Sequence, residues 1–378
     1  MPDYDELLSY SESHTLLPNL QTITWGSGYP NPLHYQAVAI RLGLFLSPSL
    51  LEFRIANDID QALWRPSIAW LVLSSIVDTC PDIRVLDLFP DHNATDSETE
   101  PDESCEDVSA LLRAEAPDPT FRDLGPLFGE LQNLTELRTN IGAIESFPLE
   151  GLANLKFLEV NMHWDSHNTR LPYELFPSLE HLGLLCCYQT DLSLLLPSHN
   201  TQISSLRFHE YTVKSLERQV VSHIVKSLPE LATVSIYSDT QRAWESDVAE
   251  VPPDFLEPLG TLTKMRHLDL IEITVSSMGG SAVETLSWLG PRLLDIQVLR
   301  MRRQEVALLQ LPNLVSQLPK LEYLELDIVD LDAVGAPDSS LTPCSLRLQC
   351  LEFNLLKELT AMSQSGRLNT ARLDDIAQ

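Results

Sequence analysis

Positive charge is scarce in this chain. Its 378 residues carry 25 Lys and Arg against 54 Asp and Glu, a formal net charge of −29. A track for nucleic-acid phosphates needs clustered basic side chains, so the balance argues against nucleic acid as a partner. It argues equally against docking on an anionic membrane. Long hydrophobic runs are also missing. No uncharged apolar stretch reaches membrane-spanning length, and the opening MPDYDE has neither the basic start nor the apolar run of a secretory signal. The six Cys include no CxxC pair. Free thiols in a reducing compartment, cytosol or nucleus, are therefore expected. The adjacent Cys186 and Cys187 read as packed thiols rather than a redox pair.

Catalytic and metal-binding patterns are absent too. Gly279, Gly280 and Ser281 are followed by Val283 where a nucleophile elbow needs Gly. His209-Glu210 lacks the second His of a zinc protease. His163, Asp165 and His167 have a spacing that joins two His only on a helix, and they follow a strand pattern. No enzyme activity, cofactor or metal is expected.

What the sequence has is a repeat. In LPKLEYLEL (318–326) the last apolar positions alternate, so Leu324 and Leu326 point to one face of a short strand. Taking Leu321 as an anchor, equivalent anchors are Leu20, Leu50, Ile83, Leu134, Leu155, Leu179, Ile203, Leu231, Met265, Leu293 and Leu348. Apolar residues follow at +3 and +5 in nearly every case; the lapse is Thr139. Seven of the twelve anchors have Pro at −2, where chance would give about one in twenty. Proline there reads as the stop of a preceding helix. Anchor spacings of 21 to 51 residues span the periods of leucine-rich repeats, each a strand plus a helical or irregular return. The expected fold is α/β: a leucine-rich-repeat horseshoe solenoid with about twelve parallel strands on the concave face and helices and turns outside. Each repeat packs on its neighbours, which lets a chain of this length avoid one oversized core.

The organisation follows. Residues 1–15 are a polar N-terminal segment, 16–354 the solenoid and 355–378 a C-terminal helix with a polar tail. Residues 91–107 hold eight acids and no Lys or Arg, so 90–120 reads as an acidic disordered insertion. Returns at 32–46, 66–78, 215–228, 281–289 and 304–318 read as helices.

If +3 and +5 face the core, +2, +4 and +6 face the concave surface. That register presents Arg138, Asn140, Asn161, Arg207, His209 and Tyr237, a mix of Arg, His and Tyr suited to a protein contact. Near the C-terminal end it presents Asp295, Gln297, Glu325 and Asp327. Arg300, Arg302 and Arg303 stand out in so acidic a chain. They read as a loop just after a strand, able to grip an acidic or phosphorylated partner or to pair with the protein's own acids. A protein substrate or partner on the concave face is expected, and the chain itself is expected to be a monomer.

LLPNLQTITW (16–25), CPDIRVLDL (80–88) and FPSLEHLGL (176–184) together resemble the leucine-rich-repeat region of F-box proteins from mushroom-forming fungi. The resemblance covers roughly 16–354. It implies a substrate-recognition arc of a cullin-type ubiquitin ligase adaptor, in which an N-terminal F-box binds the Skp-type adaptor. About fifteen residues precede the first repeat here, fewer than an F-box needs. A ligase adaptor is therefore expected as a partner only where an F-box is supplied. A free-standing repeat scaffold or inhibitor is the alternative.

Overall fold

A computed structural model describes residues 17–26, 42–43, 45–55, 66–88, 120–147, 151–162, 171–187, 195–196, 202–210, 218–238, 249–275, 293–307, 311–329 and 350–355. The insertion at 90–120, the tail, and the expected helices at 32–46 and 281–289 lie outside these residues, wholly or nearly so. The side chains of Cys186 and Cys187 do as well. The chain divides into two compact units, Met1–Ile203 and Ser204–Gln378.

In the first unit six strands are laid down in chain order: β1 Thr22–Trp25, β2 Glu52–Ile55, β3 Val85–Asp87, β4 Glu136–Asn140, β5 Phe157–Asn161 and β6 His181–Cys187. Each pairs in parallel with the next. The second unit repeats the plan with β7 Ser205–Glu210, β8 Thr233–Ser238, β10 His267–Ile271, β12 Val298–Ala307, β13 Tyr323–Val329 and β14 Cys350–Leu355. Two further short strands, β9 Ala249–Val251 and β11 Ile273–Val275, form a small parallel sheet of their own. Parallel neighbours in sequence order, joined by helical or irregular returns, define the leucine-rich-repeat solenoid within each unit.

The repeat motif has a concrete local structure. The anchor N–H donates to the carbonyl of the residue at −3, closing a one-turn bend before the strand: Leu50 to Ser47 at 3.0 Å, Leu134 to Leu131 at 3.0 Å, Leu321 to Leu318 at 3.0 Å. Pro at −2 is the second residue of that bend, where its fixed φ suits the turn and its missing N–H costs nothing. Pro18, Pro48, Pro81, Pro177, Pro229 and Pro319 all sit so. In these six repeats the proline therefore builds the turn into the strand, rather than merely ending a helix.

The carbonyl at +1 then accepts two N–H groups from the next repeat. Gln21 takes Leu51 and Glu52 at 2.8 and 3.0 Å; Gln297 takes Glu322 and Tyr323 at 2.8 and 3.0 Å. Residues at anchor, +3 and +5 fill the core: Leu50, Phe53 and Ile55, then Leu321, Leu324 and Leu326, are at most 2% exposed. Thr139 occupies its +5 site and is buried nonetheless. Phe128 stacks on Phe147, with ring centroids 5.7 Å apart, and Phe147 meets Phe176 edge to face at 5.3 Å.

One anchor is corrected. β12 begins at Val298 and pairs Leu299 with Leu268 and Met301 with Leu270. Its anchor is thus Ile296, whose N–H closes the turn to Leu293 at 3.0 Å. The pattern around Leu293 offers two registers three residues apart, and the ladder selects the later one because it buries Leu299 and Met301. Asp295 and Gln297 therefore precede the strand instead of lining its face, and Arg300 lies within the strand at +4 rather than in a loop after it. The return expected from 304 also shortens. Gln304 to Ala307 stay in β12, and the helix is Leu311–Ser316. The helix at Pro66–Thr79 has Pro66 in its first turn as expected, burying Ile68, Ala69, Val72, Leu73 and Ile76. The helix expected from 215 is described from Arg218 to Ser227.

Candidate functional site

In the first unit the +4 positions of β3, β4 and β5 are side by side: Asp87, Arg138 and Glu159. Arg138 lies between the two acids, with Nη1 3.2 Å from Asp87 and Nε 2.6 Å from Glu159. The acids are covered (side chains 6% and 1% exposed) while Arg138 keeps 23%. His181 adds Nε2 3.6 Å from the other Glu159 oxygen, and its ring stacks flat on Phe157 at 4.1 Å. The Arg138 guanidinium also sits over the Phe157 ring, 5.7 Å from its centre. Charged groups in so dry a setting interact strongly, and each is costly to strand alone.

Gly183 makes this arrangement possible. It is the register neighbour of Glu159, and a Cβ there would overlap the Glu159 side chain at Cγ. Gly183→Ala is therefore expected to push Glu159 off its two partners and lower stability by about 1–3 kcal/mol, read from thermal or urea unfolding.

Asn140 and Asn161 are paired at +6 of β4 and β5. Both are buried, at 3% and 4% exposure. The Asn140 side chain caps the helix Ile141–Glu145 by accepting from the Gly142 N–H at 2.8 Å. The structure thus gives Asn140 a structural task at the position where the sequence suggested a contact residue.

The second unit carries its own row. Arg207, Ser235, Asp269, Arg300 and Glu325 occupy +4 of consecutive strands. Arg300 is flanked by Asp269 at 3.9 Å and Glu325 at 3.7 Å, and its guanidinium lies over the Tyr323 ring, 4.8 Å from the centre. Pairing of Arg300 with the protein's own acids is thus what the geometry shows. At +6, His209 is beside Tyr237, with rings in edge contact at 4.1 Å. Arg207 and Tyr237 are half-buried and His209 is 5% exposed.

Arg302 and Arg303 fall in a bulge. Met301 pairs with Leu326 and Glu305 with Asp327, so residues 302–304 are extra on the β12 side. Gln304, 3% exposed, turns its side-chain oxygen to the Val275 N–H at 2.9 Å and ties the bulge to β11. Asp87, Phe157 and Gln304 escaped the sequence reading. The first two become visible once the +4 and +2 positions are read across strands instead of along them.

Two groups among the described residues, Cys80 and Tyr173, are held in their neutral forms by burial. Burial raises the Cys80 thiol to about 11, only partly offset by a backbone hydrogen bond from Ser47, which leaves it protonated and inert. The Tyr173 phenol is likewise pushed up by burial, and donates to the Leu195 carbonyl. No helix among the described residues is long and apolar enough to cross a membrane.

No family model matches the chain, and no curated protein matches it. Among solved structures it is similar to the leucine-rich-repeat-containing protein LegL7 from Legionella pneumophila. The identity is 10%, coverage 81% of this chain and 91% of that one, and the TM-score 0.43. An internalin (inlF) from Listeria monocytogenes is 13% identical over 93% of this chain and 94% of its own, TM-score 0.30. The protein chain of a TLR13–ssRNA13 complex is 15% identical, TM-score 0.34; the match covers 82% of this chain and 40% of that one. Scores this low add nothing to the argument, and the fold class rests on the strand ladders themselves.

Proposed function

We propose that the chain is a protein-binding leucine-rich-repeat module. Its finer role would be the substrate-recognition part of a cullin-type ubiquitin ligase adaptor. The observation that carries the binding reading is the open strand face of the second unit. There Arg207, His209 and Tyr237 lie on two adjacent strands, with Arg207 and Tyr237 both partly accessible. Arg and Tyr are the side chains most often found at the energetic centre of protein contacts. The first-unit residues are less suited to a contact: Asn140 and Asn161 are buried, and Arg138 is engaged with Asp87 and Glu159. Arg302 and Arg303 are added, on their residue type alone, as a contact for an acidic or phosphorylated group on the partner.

The ligase role rests on the resemblance of the repeats alone. It predicts that the chain joined to an F-box recruits the Skp-type adaptor. Failure of that fusion to form a complex with purified adaptor in a pull-down overturns it.

The contact is tested on a partner recovered with the tagged chain. Arg207→Ala with Tyr237→Ala is expected to weaken that complex by about 2 kcal/mol or more while leaving the melting temperature near wild type. Normal binding by the double variant, with loss on substituting the outer face of the helix Arg218–Ser227, places the contact elsewhere.

A further inference from the structure

One arrangement of side chains is built twice, once in each unit. Asp87, Arg138 and Glu159 stand side by side at +4, with Arg138 over the ring of Phe157. Asp269, Arg300 and Glu325 repeat the row, with Arg300 over the ring of Tyr323. In both, the ring belongs to +2 of the strand that follows the Arg. The copies differ at +2 of the Arg strand itself. There β4 carries Glu136, whose carboxylate reaches Arg54 at 3.4 Å. β12 instead carries Val298, short, apolar and half-buried.

Val298 stands between two longer side chains, His267 on β10 and Tyr323 on β13. Neighbouring strands are about 4.8 Å apart, so the backbones of His267 and Tyr323 are separated by about 9.6 Å. His267 is exposed, with Nδ1 3.4 Å from the Thr233 hydroxyl on β8, the side away from Val298. Tyr323 lies under the Arg300 guanidinium. The result is a shallow gap with an apolar floor. An imidazole runs along one side, and a guanidinium laid over a phenol ring along the other.

These walls define the chemistry of an occupant. Arg300 is the most accessible charge of the cluster: its side chain is 40% exposed, against 20% for Asp269 and 10% for Glu325. A phosphate or carboxylate would meet that cation together with two acids that outnumber it, and like charges set against each other are costly. An ammonium would have to pass Arg300 to reach the acids. An aliphatic side chain would cover Val298 but strip water from Arg300 without replacing it. An aromatic ring satisfies both walls: its body covers Val298, and its π face attracts the guanidinium. Arg suits this task because its head is planar and stacks on rings, and here Asp269, Glu325 and Tyr323 hold it in place.

We propose that this gap receives an aromatic side chain, Trp or Tyr, from a protein partner. The inference rests on the protein-binding reading of the second unit's strand face, and it names the anchor that such a partner supplies.

The probe is a display library of random linear peptides selected on the immobilised full chain; the best binders are then synthesised and titrated by fluorescence anisotropy. Binders are expected to share a Trp or Tyr, and changing that residue to Leu should weaken binding at least about tenfold. Val298→Trp fills the gap from its floor. Arg300→Lys keeps the positive charge and removes the flat face. Each should weaken binding at least about tenfold with an unchanged melting temperature. If Val298→Trp fails to fold, Arg300→Lys decides. Binders that need no aromatic residue, that depend on a Lys or Arg of their own, or that ignore both substitutions overturn the proposal. If Arg207→Ala with Tyr237→Ala weakens those same binders, the protein-binding reading survives. A chain that selects no peptide overturns both.

Discussion

Leu324→Asp is expected to cost about 3–5 kcal/mol, by placing a charge in a site that offers it no partner. Leu324 is 0% exposed and stands in the ladder between Leu299 and Leu351. Nothing in that row can hydrogen-bond a carboxylate. A solenoid loses neighbour contacts on both sides when one repeat fails, so the loss should appear as a lower melting temperature of the second unit. The same experiment decides the register of β12. Met301→Asp should behave like Leu324→Asp, because Met301 is 0% exposed. Val298→Asp, at a half-buried position on the opposite face, should cost far less. Equal tolerance of all three substitutions would sink the repeat assignment.

Arg138→Ala is the second large effect. It leaves Asp87 and Glu159 without the cation between them. Removing one member of a buried ion pair typically costs about 3–5 kcal/mol, because the remaining charge is uncompensated. His181, 3.6 Å from Glu159, can relieve only one of the two acids. Asp87→Asn with Glu159→Gln in the Arg138→Ala background should recover much of the loss, since neutral amides are cheaper to bury than unpaired carboxylates. Arg138→Ala with wild-type stability would show that the triad carries no weight. For a binding assay this matters directly: loss of partner affinity in an Arg138 variant is uninformative unless folding is measured beside it. Arg207 and Tyr237 are the better probes.

Much of the architecture was legible along the chain. Among the described residues ten of the twelve anchors stand where the +3 and +5 pattern puts them, because core rows in a parallel solenoid are set by one-dimensional spacing; Leu348 lies outside those residues. The exception, Leu293, lies in an apolar run that satisfies the pattern twice, and only pairing with Leu268 and Leu270 resolves it. The faces of the strands were less legible. Reading along β4 reveals an Arg and an Asn, and nothing in that strand says that Asp87 and Glu159 flank the Arg. Those acids lie 51 residues before it and 21 after it, and the return lengths hide the adjacency. The bulge at 302–304 was invisible for a related reason. It arises because β12 and β13 resume pairing only after an offset, and Gln304 holds that offset by bonding a strand outside the main ladder.

The doubly accepting carbonyl at +1 has a consequence for how such a chain can change. It takes the first two amides of the next repeat, so each new strand is seated as its turn closes, whatever path the chain took to arrive. Arg84 receives Thr135 and Glu136 across a 51-residue detour in the same way that Thr135 receives Lys156 and Phe157 across 21. Loop length adds only a slowly growing entropic cost. The returns are therefore natural ports for inserted sequence. A reporter peptide or a whole folded domain spliced between 90 and 119 should leave the seating of Thr135 intact, whereas one residue added between Leu134 and Glu136 would unseat every side chain that follows in β4.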